Sequence, residues 1–196
     1  MMIRFLVFFI SFCSVASNYF VLKSYINQSI LLFDAKNGDF SLTIKQLDKI
    51  NYRYPSLSLN SVPVLSYLSR YETNNKRYYE AIKKLSIALD YNPYNSYTKY
   101  LISRNYIYLN DFENAEMYLN EIFEESPKIE ASTVLFISVL DNSRNIKKLK
   151  EIFSELINID NKNIWTYYLS ALRNNVKTLD DKILYNKSLV YFDKTF

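Results

Sequence analysis

A recurrence constrains this chain more than any other feature. Tyr78–Tyr94 reads YYEAIKKLSIALDYNPY, and 34 residues further on Phe112–Lys128 reads FENAEMYLNEIFEESPK. The same offset separates Tyr78 from Phe112, Ala81 from Ala115, Leu85 from Leu119, Pro93 from Pro127 and, upstream, Leu68 from Ile102. A fixed period of this length marks a structural unit that cannot bury its apolar face alone and stacks on copies of itself. Within the first copy Tyr78, Ala81, Ile82, Leu85, Ala88 and Leu89 form one helical stripe, as a helix with one buried face requires. Pro93 stops it, because the residue before a proline is pushed out of the α region. The alanines let a partner helix approach closely.

Composition agrees with helices joined by short turns. Gly occurs once and Pro four times in 196 residues, too few for barrels, sandwiches or Gly-rich phosphate loops. There is no His and one Cys. That removes the commonest general base, most zinc sites, and any Ser–His–Asp or Cys–His arrangement. The net charge is +4, with Lys and Arg interspersed among Asp and Glu, a solvated surface rather than a nucleic-acid patch. Glu113, Glu116, Glu124 and Glu125 fall on solvent-facing helix positions. Asp180 and Asp181 open a helix, where negative charge complements the helix dipole. No catalytic, cofactor or metal residue is assigned, and the chain is read as a non-enzyme.

The N-terminus carries a second constraint. Ile3–Leu22 is twenty residues with Arg4 as its one charge, a length that rises about 30 Å as a helix and matches a bilayer core. Arg4 precedes the run, which orients the N-terminus to the cytoplasm and exports the rest. Residues 1–23 are therefore expected to be a transmembrane anchor. The alternative is a cleavable signal peptide with Ser14-Val15-Ala16 as its small-x-small site, giving a secreted protein. Nothing between Ala16 and Ala35 breaks a helix, so the span is expected to run on into the folded part.

The repeat resembles the tetratricopeptide repeat (TPR), a 34-residue helix–turn–helix unit with an aromatic opening its second helix, Ala three residues later and Pro at its end. Related helical-hairpin solenoids are the alternative. The resemblance implies an all-α fold, a right-handed superhelix of stacked antiparallel helix pairs preceded by an N-terminal membrane helix. Its units would be 24–57, 62–95, 96–129, 130–163 and a terminal pair 164–196. The first holds Gly38, Phe40, Leu47 and Pro55 at motif places, and the fourth keeps the period through Phe136, Ile146, Leu149 and Phe153 without the Ala and Pro.

In this family the concave face made by the first helices of each pair takes peptides. The resemblance places Pro63, Ser66, Arg70, Thr73 and Asn74 there, with Tyr97, Tyr100, Arg104, Ile107 and Tyr108 from the next unit and Trp165 and Tyr168 from the last. Arg70 and Arg104, one repeat apart, would either hold an acidic or carboxylate ligand beside the aromatic rings or pair with acidic neighbours. The chaperone-tail clamp is absent: Ser66, Arg70, Ala131 and Leu135 occupy its places.

A weaker similarity links the span and the repeats after it to the extracytoplasmic TPR region of bacterial O-antigen ligase or polymerase-like membrane proteins. The expected function is a membrane-anchored, extracytoplasmic scaffold that binds a protein partner or peptide in the groove, in surface-polysaccharide or envelope assembly. The alternatives are an accessory or detached domain of such an enzyme, and a glycan- or lipid-binding module.

Overall fold

The computed structural model describes residues 2–196. Met1, part of the expected anchor 1–23, lies outside the described residues, as do the side chains of Met2 and Ile3. The fold is all-α and TPR-like, built from helical hairpins. Among the described residues there is no strand, only an isolated Leu57–Pro63 bridge. The chain divides into two compact units, residues 1–98 and 99–196.

The first unit begins with α1, Met2–Asn37, about 54 Å long at 1.5 Å per residue. From Arg4 to Lys23 none of its side chains is buried. At Ser24 the character changes: Ser24, Gln28, Leu31 and Ala35 are buried, the i, i+4, i+7, i+11 spacing of one helix face. The helix therefore passes from an all-exposed apolar segment to an amphipathic one without interruption, as the missing helix breakers led us to expect. It ends in a Schellman motif. Gly38 has φ +80°, its N–H reaches the Ala35 carbonyl at 3.3 Å, and the Asp39 N–H reaches the Asp34 carbonyl at 3.2 Å. The Asp34 carboxylate accepts from the Ser41 N–H and from the Tyr71 hydroxyl, fastening the end of α1 to α3.

The expected second helix of unit 24–57 is a single turn, α2, Ile44–Leu47. The Asn51 side chain explains part of this. Its Oδ1 accepts from the Arg53 and Tyr54 N–H groups at 2.9 and 3.2 Å, offering the backbone a local alternative to helix. Pro55, expected at a helix end, stands in a loop after a cis Tyr54–Pro55 bond. The remaining elements of this unit are α3, Val64–Asn74, and α4, Tyr78–Tyr91, an antiparallel pair with Ala81, Leu85 and Ala88 wholly buried.

Helix α5, Ser96–Tyr108, crosses the boundary between the units. The second unit continues with α6, Phe112–Glu125; α7, Glu130–Asn142; α8, Ile146–Glu151; α9, Phe153–Leu156; α10, Lys162–Asn175; and α11, Leu179–Thr195. Its core joins Leu119, Ile122, Phe136, Leu140, Leu149, Leu156, Trp165 and Leu172. Ala115 is fully buried, like its counterpart Ala81.

The period reappears in the turns between paired helices. Lys76, Asn110 and Arg144, each 34 residues after the last, have φ of 60°, 58° and 56°. In each turn the next residue's N–H reaches back five residues at 2.9 Å: Arg77 to Glu72, Asp111 to Tyr106 and Asn145 to Leu140. This left-handed corner is usually a glycine. Here Lys, Asn and Arg adopt it, so a chain with one Gly still builds three such corners. Asp111 and Asn145 also cap the following helix, accepting from the N–H groups of Asn114 and Lys148.

Candidate functional site

The second helix of the pair 130–163 is broken at Ile152 into α8 and α9, and the break decides where three aromatic side chains go. The last carbonyls of a helix have no intrahelical donor. Here the Tyr168 hydroxyl donates to the Leu149 carbonyl at 2.9 Å, the Trp165 indole N–H to Ile159 at 3.1 Å, and the Tyr191 hydroxyl to Ile157 at 2.6 Å. Trp165 and Tyr168 are both 0 % exposed. Burial pushes the Tyr168 phenol well above the usual tyrosine range, opposed in part by the Ser188 hydroxyl. The expectation that Trp165 and Tyr168 face the groove is corrected: they fill the core and complete a fractured helix. On α10, Trp165, Tyr168, Ala171, Leu172 and Asn175 share one buried stripe, a spacing legible in the sequence but overridden by position within the repeat. Tyr167, off that stripe, is the exposed aromatic.

The other expected groove residues divide between the units. In the first, Arg70 lies over the Phe40 ring at 5.4 Å, and Tyr97 tilts against Tyr67 with centroids 6.0 Å apart. Pro63 and Ser66 are buried rather than lining a surface. The Ser66 hydroxyl is bonded to that of Thr98 at 2.7 Å. A cleft of this unit, about 650 Å³, is lined by Ile44, Leu47, Leu65 and Ile87, beside the shortened α2. On its charged wall Glu72 pairs with both Arg77 and Lys84.

In the second unit Tyr100, Arg104 and Tyr108 stand one turn apart on α5. The Arg104 guanidinium lies 5.9 Å from the Tyr100 ring and 5.8 Å from the Tyr108 ring, and it donates to the Tyr108 hydroxyl at 2.8 Å. Both arginines thus rest on aromatic faces, a cation–π arrangement.

Beside this ladder is a groove of about 360 Å³. Tyr100 of α5 forms one side, Ala131, Val134 and Leu135 of α7 the floor, and Asn163 and Tyr167 of α10 the other side. Glu130 closes one end. Its carboxylate accepts from Asn161 and Asn163 at 2.9 and 2.6 Å, and those two amides hold its pKa below the ordinary glutamate value. The site is therefore an open groove of mixed polar and apolar lining, with a tyrosine on either side and a carboxylate at one end, formed by the first helices of three successive pairs. Of the residues expected to bind a partner only Tyr100 lines it, together with Ala131 and Leu135 from the places of the absent clamp. Tyr167, Glu130 and Val134 were missed. Among the described residues, no group of three or more His, Cys, Asp or Glu is placed to hold a metal ion.

No family model matches the chain, and no curated protein matches it by sequence. Solved structures do match in fold. A MamA structure from AMB-1 superposes with TM-score 0.61 at 12% identity, covering 89% of this chain and 99% of that one. A second MamA crystal structure gives 0.58 at 16% identity, over 86% and 90%. Another crystal form of the AMB-1 protein gives 0.57 at 14%, over 89% and 90%. At these identities the likeness is one of fold.

Proposed function

We propose that this chain is a non-enzymatic scaffold, held to a membrane by α1, whose second unit binds an extended or helical segment of a protein partner. The observation that carries the reading is the groove between Tyr100 and Tyr167. Aromatic side chains offer large contact area at low conformational cost, and they dominate binding energy where a partner side chain fills a pocket. Glu130 selects for a segment placing a Lys or Arg at that end, beside an apolar side chain seated on Val134 and Leu135.

The tether rests on α1. The twenty residues Ile3–Leu22, with one charge and no buried side chain between Arg4 and Leu22, have the length of a bilayer core. Arg4 on the N-terminal side argues for an extracytoplasmic folded part. A place in surface-polysaccharide or envelope assembly, or as a module of a glycan-transferring membrane enzyme, rests on sequence resemblance alone.

The test is a photo-crosslinking residue at Tyr167 in cells expressing the full chain. A protein adduct that disappears when Ala131→Arg fills the groove supports the reading. No protein adduct, or one indifferent to Ala131→Arg, refutes it. A fusion after Phe196 to a reporter active only outside the cytoplasm tests the orientation separately.

A further inference from the structure

The segment between α2 and α3 is held in a position that the scaffold role does not use. Ser24 donates from Oγ to the Tyr54 carbonyl at 3.0 Å. Gln28, one turn later on α1, donates from Nε2 to the carbonyls of Asn51 at 2.7 Å and Pro55 at 2.8 Å. Ser24 and Gln28 are themselves buried. The loop is thus bolted to the first amphipathic turn of α1, immediately after the apolar run ends at Leu22.

Its side chains turn the other way. Tyr54 is 66% exposed, and Arg53 beside it is exposed, its guanidinium 5.9 Å from the Tyr52 ring. The chain then makes a small hairpin: the Ser58 N–H reaches the Val62 carbonyl at 2.8 Å and the Ser61 N–H the Ser58 carbonyl at 2.9 Å. At its tip stands Leu59, 90% exposed, the most exposed large apolar side chain among the described residues. The turn thus holds a leucine out in water, in the same loop as the exposed Arg53 and Tyr54.

We propose that this loop is a second membrane contact, with Leu59 entering the lipid interface, Tyr54 at headgroup level and Arg53 on lipid phosphate. It rests on the reading of α1 as a membrane span. At 1.5 Å per residue, Ser24 stands about 3 Å beyond Leu22, inside the polar layer of roughly 5–7 Å on each side of a bilayer's apolar core, and Gln28, at about 9 Å, stands just past its outer edge. Tyr is enriched at that depth, and Arg pairs with phosphate through charge-assisted hydrogen bonds. The hydrogen bonds from Ser24 and Gln28 deliver a loop of suitable composition to that level.

The experiment uses the full chain with Cys13→Ser, carrying an environment-sensitive fluorophore at Leu59→Cys or, separately, at Val15→Cys. Each is reconstituted in phosphatidylcholine vesicles doped with nitroxide-labelled lipid. Quenching of the Leu59 probe by headgroup nitroxide, together with quenching of the Val15 probe by acyl-chain nitroxide, is the expected result. A quenched Val15 probe with full emission from Leu59 overturns the loop contact while leaving the span intact, and would assign the loop to water or a protein. Full emission from both removes the span and the loop contact with it. Leu59 is exposed enough for the label to leave the fold unchanged.

Discussion

Removing one oxygen atom from Tyr168 tests the account of the broken helix. Tyr168→Phe keeps the ring and its volume, so no cavity opens and the packing against Trp165 and Phe153 is retained. What is lost is a donor to the Leu149 carbonyl in a place that water does not reach. A buried carbonyl left without a partner costs roughly 1–3 kcal/mol, against about 0.5–1.5 for an ordinary hydrogen bond exchanged for one with water. Tyr191→Phe removes a bond of the same type to Ile157, but at an exposed position. The structure therefore orders the two substitutions: about 2 kcal/mol for Tyr168→Phe and about 0.5 kcal/mol for Tyr191→Phe. With a urea slope of about 2 kcal/mol per molar, the first lowers the midpoint by about 1 M and the second by about 0.25 M. The protein supplies its own reporter, because Trp165 is its only tryptophan and lies in the same core. Emission from Trp165 in the detergent-solubilised full chain gives both midpoints. Equal losses, or no loss in Tyr168→Phe, would refute the idea that the phenol completes α8.

Other perturbations probe separate contacts. Lys150 on Asp181 at 2.6 Å, joined by the N–H groups of Lys177 and Thr178, holds the Asp181 carboxyl far below its ordinary value. A depressed folded-state pKa contributes stability above the unfolded value, near 3.8, that is lost as pH falls through the folded one. Asp181→Asn should therefore be less stable than the wild type at neutral pH and converge with it in acid, read from Trp165 emission; a constant difference would exclude the mechanism. Lys99 is 7% exposed and bonded at 3.0 Å to both Glu121 and Glu125. Burial alone would lower its pKa, but the two carboxylates outweigh this and raise it, so its stabilisation is present below the ordinary lysine value and disappears as pH rises through the raised one. Lys99→Met should remove that alkaline dependence, and an unchanged alkaline transition would count against it. Gly38→Ala should cost about 1 kcal/mol from backbone strain alone, since a Cβ there meets nothing within 4 Å. Asn, which tolerates the left-handed region better, should fall between the two in thermal melts followed by circular dichroism, and an order that places Asn below Ala would contradict the strain account.

The period, the paired helices and the continuity of α1 into the first unit were legible because each depends on local spacing. Ala81 and Ala115 mark close helix approach, and both are fully buried. The loss of a second helix after Gly38 was not legible. Leu47 and Pro55 satisfied the motif and outranked the local Asn51 turn, while the Gln28 bonds to Asn51 and Pro55 depend on a neighbour 23 or more residues away. Glycine scarcity was a sound guide to class but not to turn geometry, since Lys76, Asn110 and Arg144 turn corners with φ near 60°. The groove was legible only in part. Tyr100 was found from its place in the repeat, whereas on α10 the apolar stripe through Trp165 and Tyr168 outranked the motif and left the surface to Tyr167. Both arginines lie over aromatic rings, Arg70 over Phe40 and Arg104 over Tyr100 and Tyr108.

The unbroken run of α1 from Met2 to Asn37 has a consequence for orientation. With no hinge between the apolar segment and the face that meets α3, whatever grips residues 4–22 also sets the compass bearing of the first unit about the helix axis. An α-helix turns about 100° per residue. One residue inserted after Lys23 would swing that unit through more than a quarter turn, and four would bring it to within about 40° of its starting bearing. As the proposed tether, α1 would act as a keyed shaft rather than a leash, with the length of its stem, counted in whole turns, under structural control.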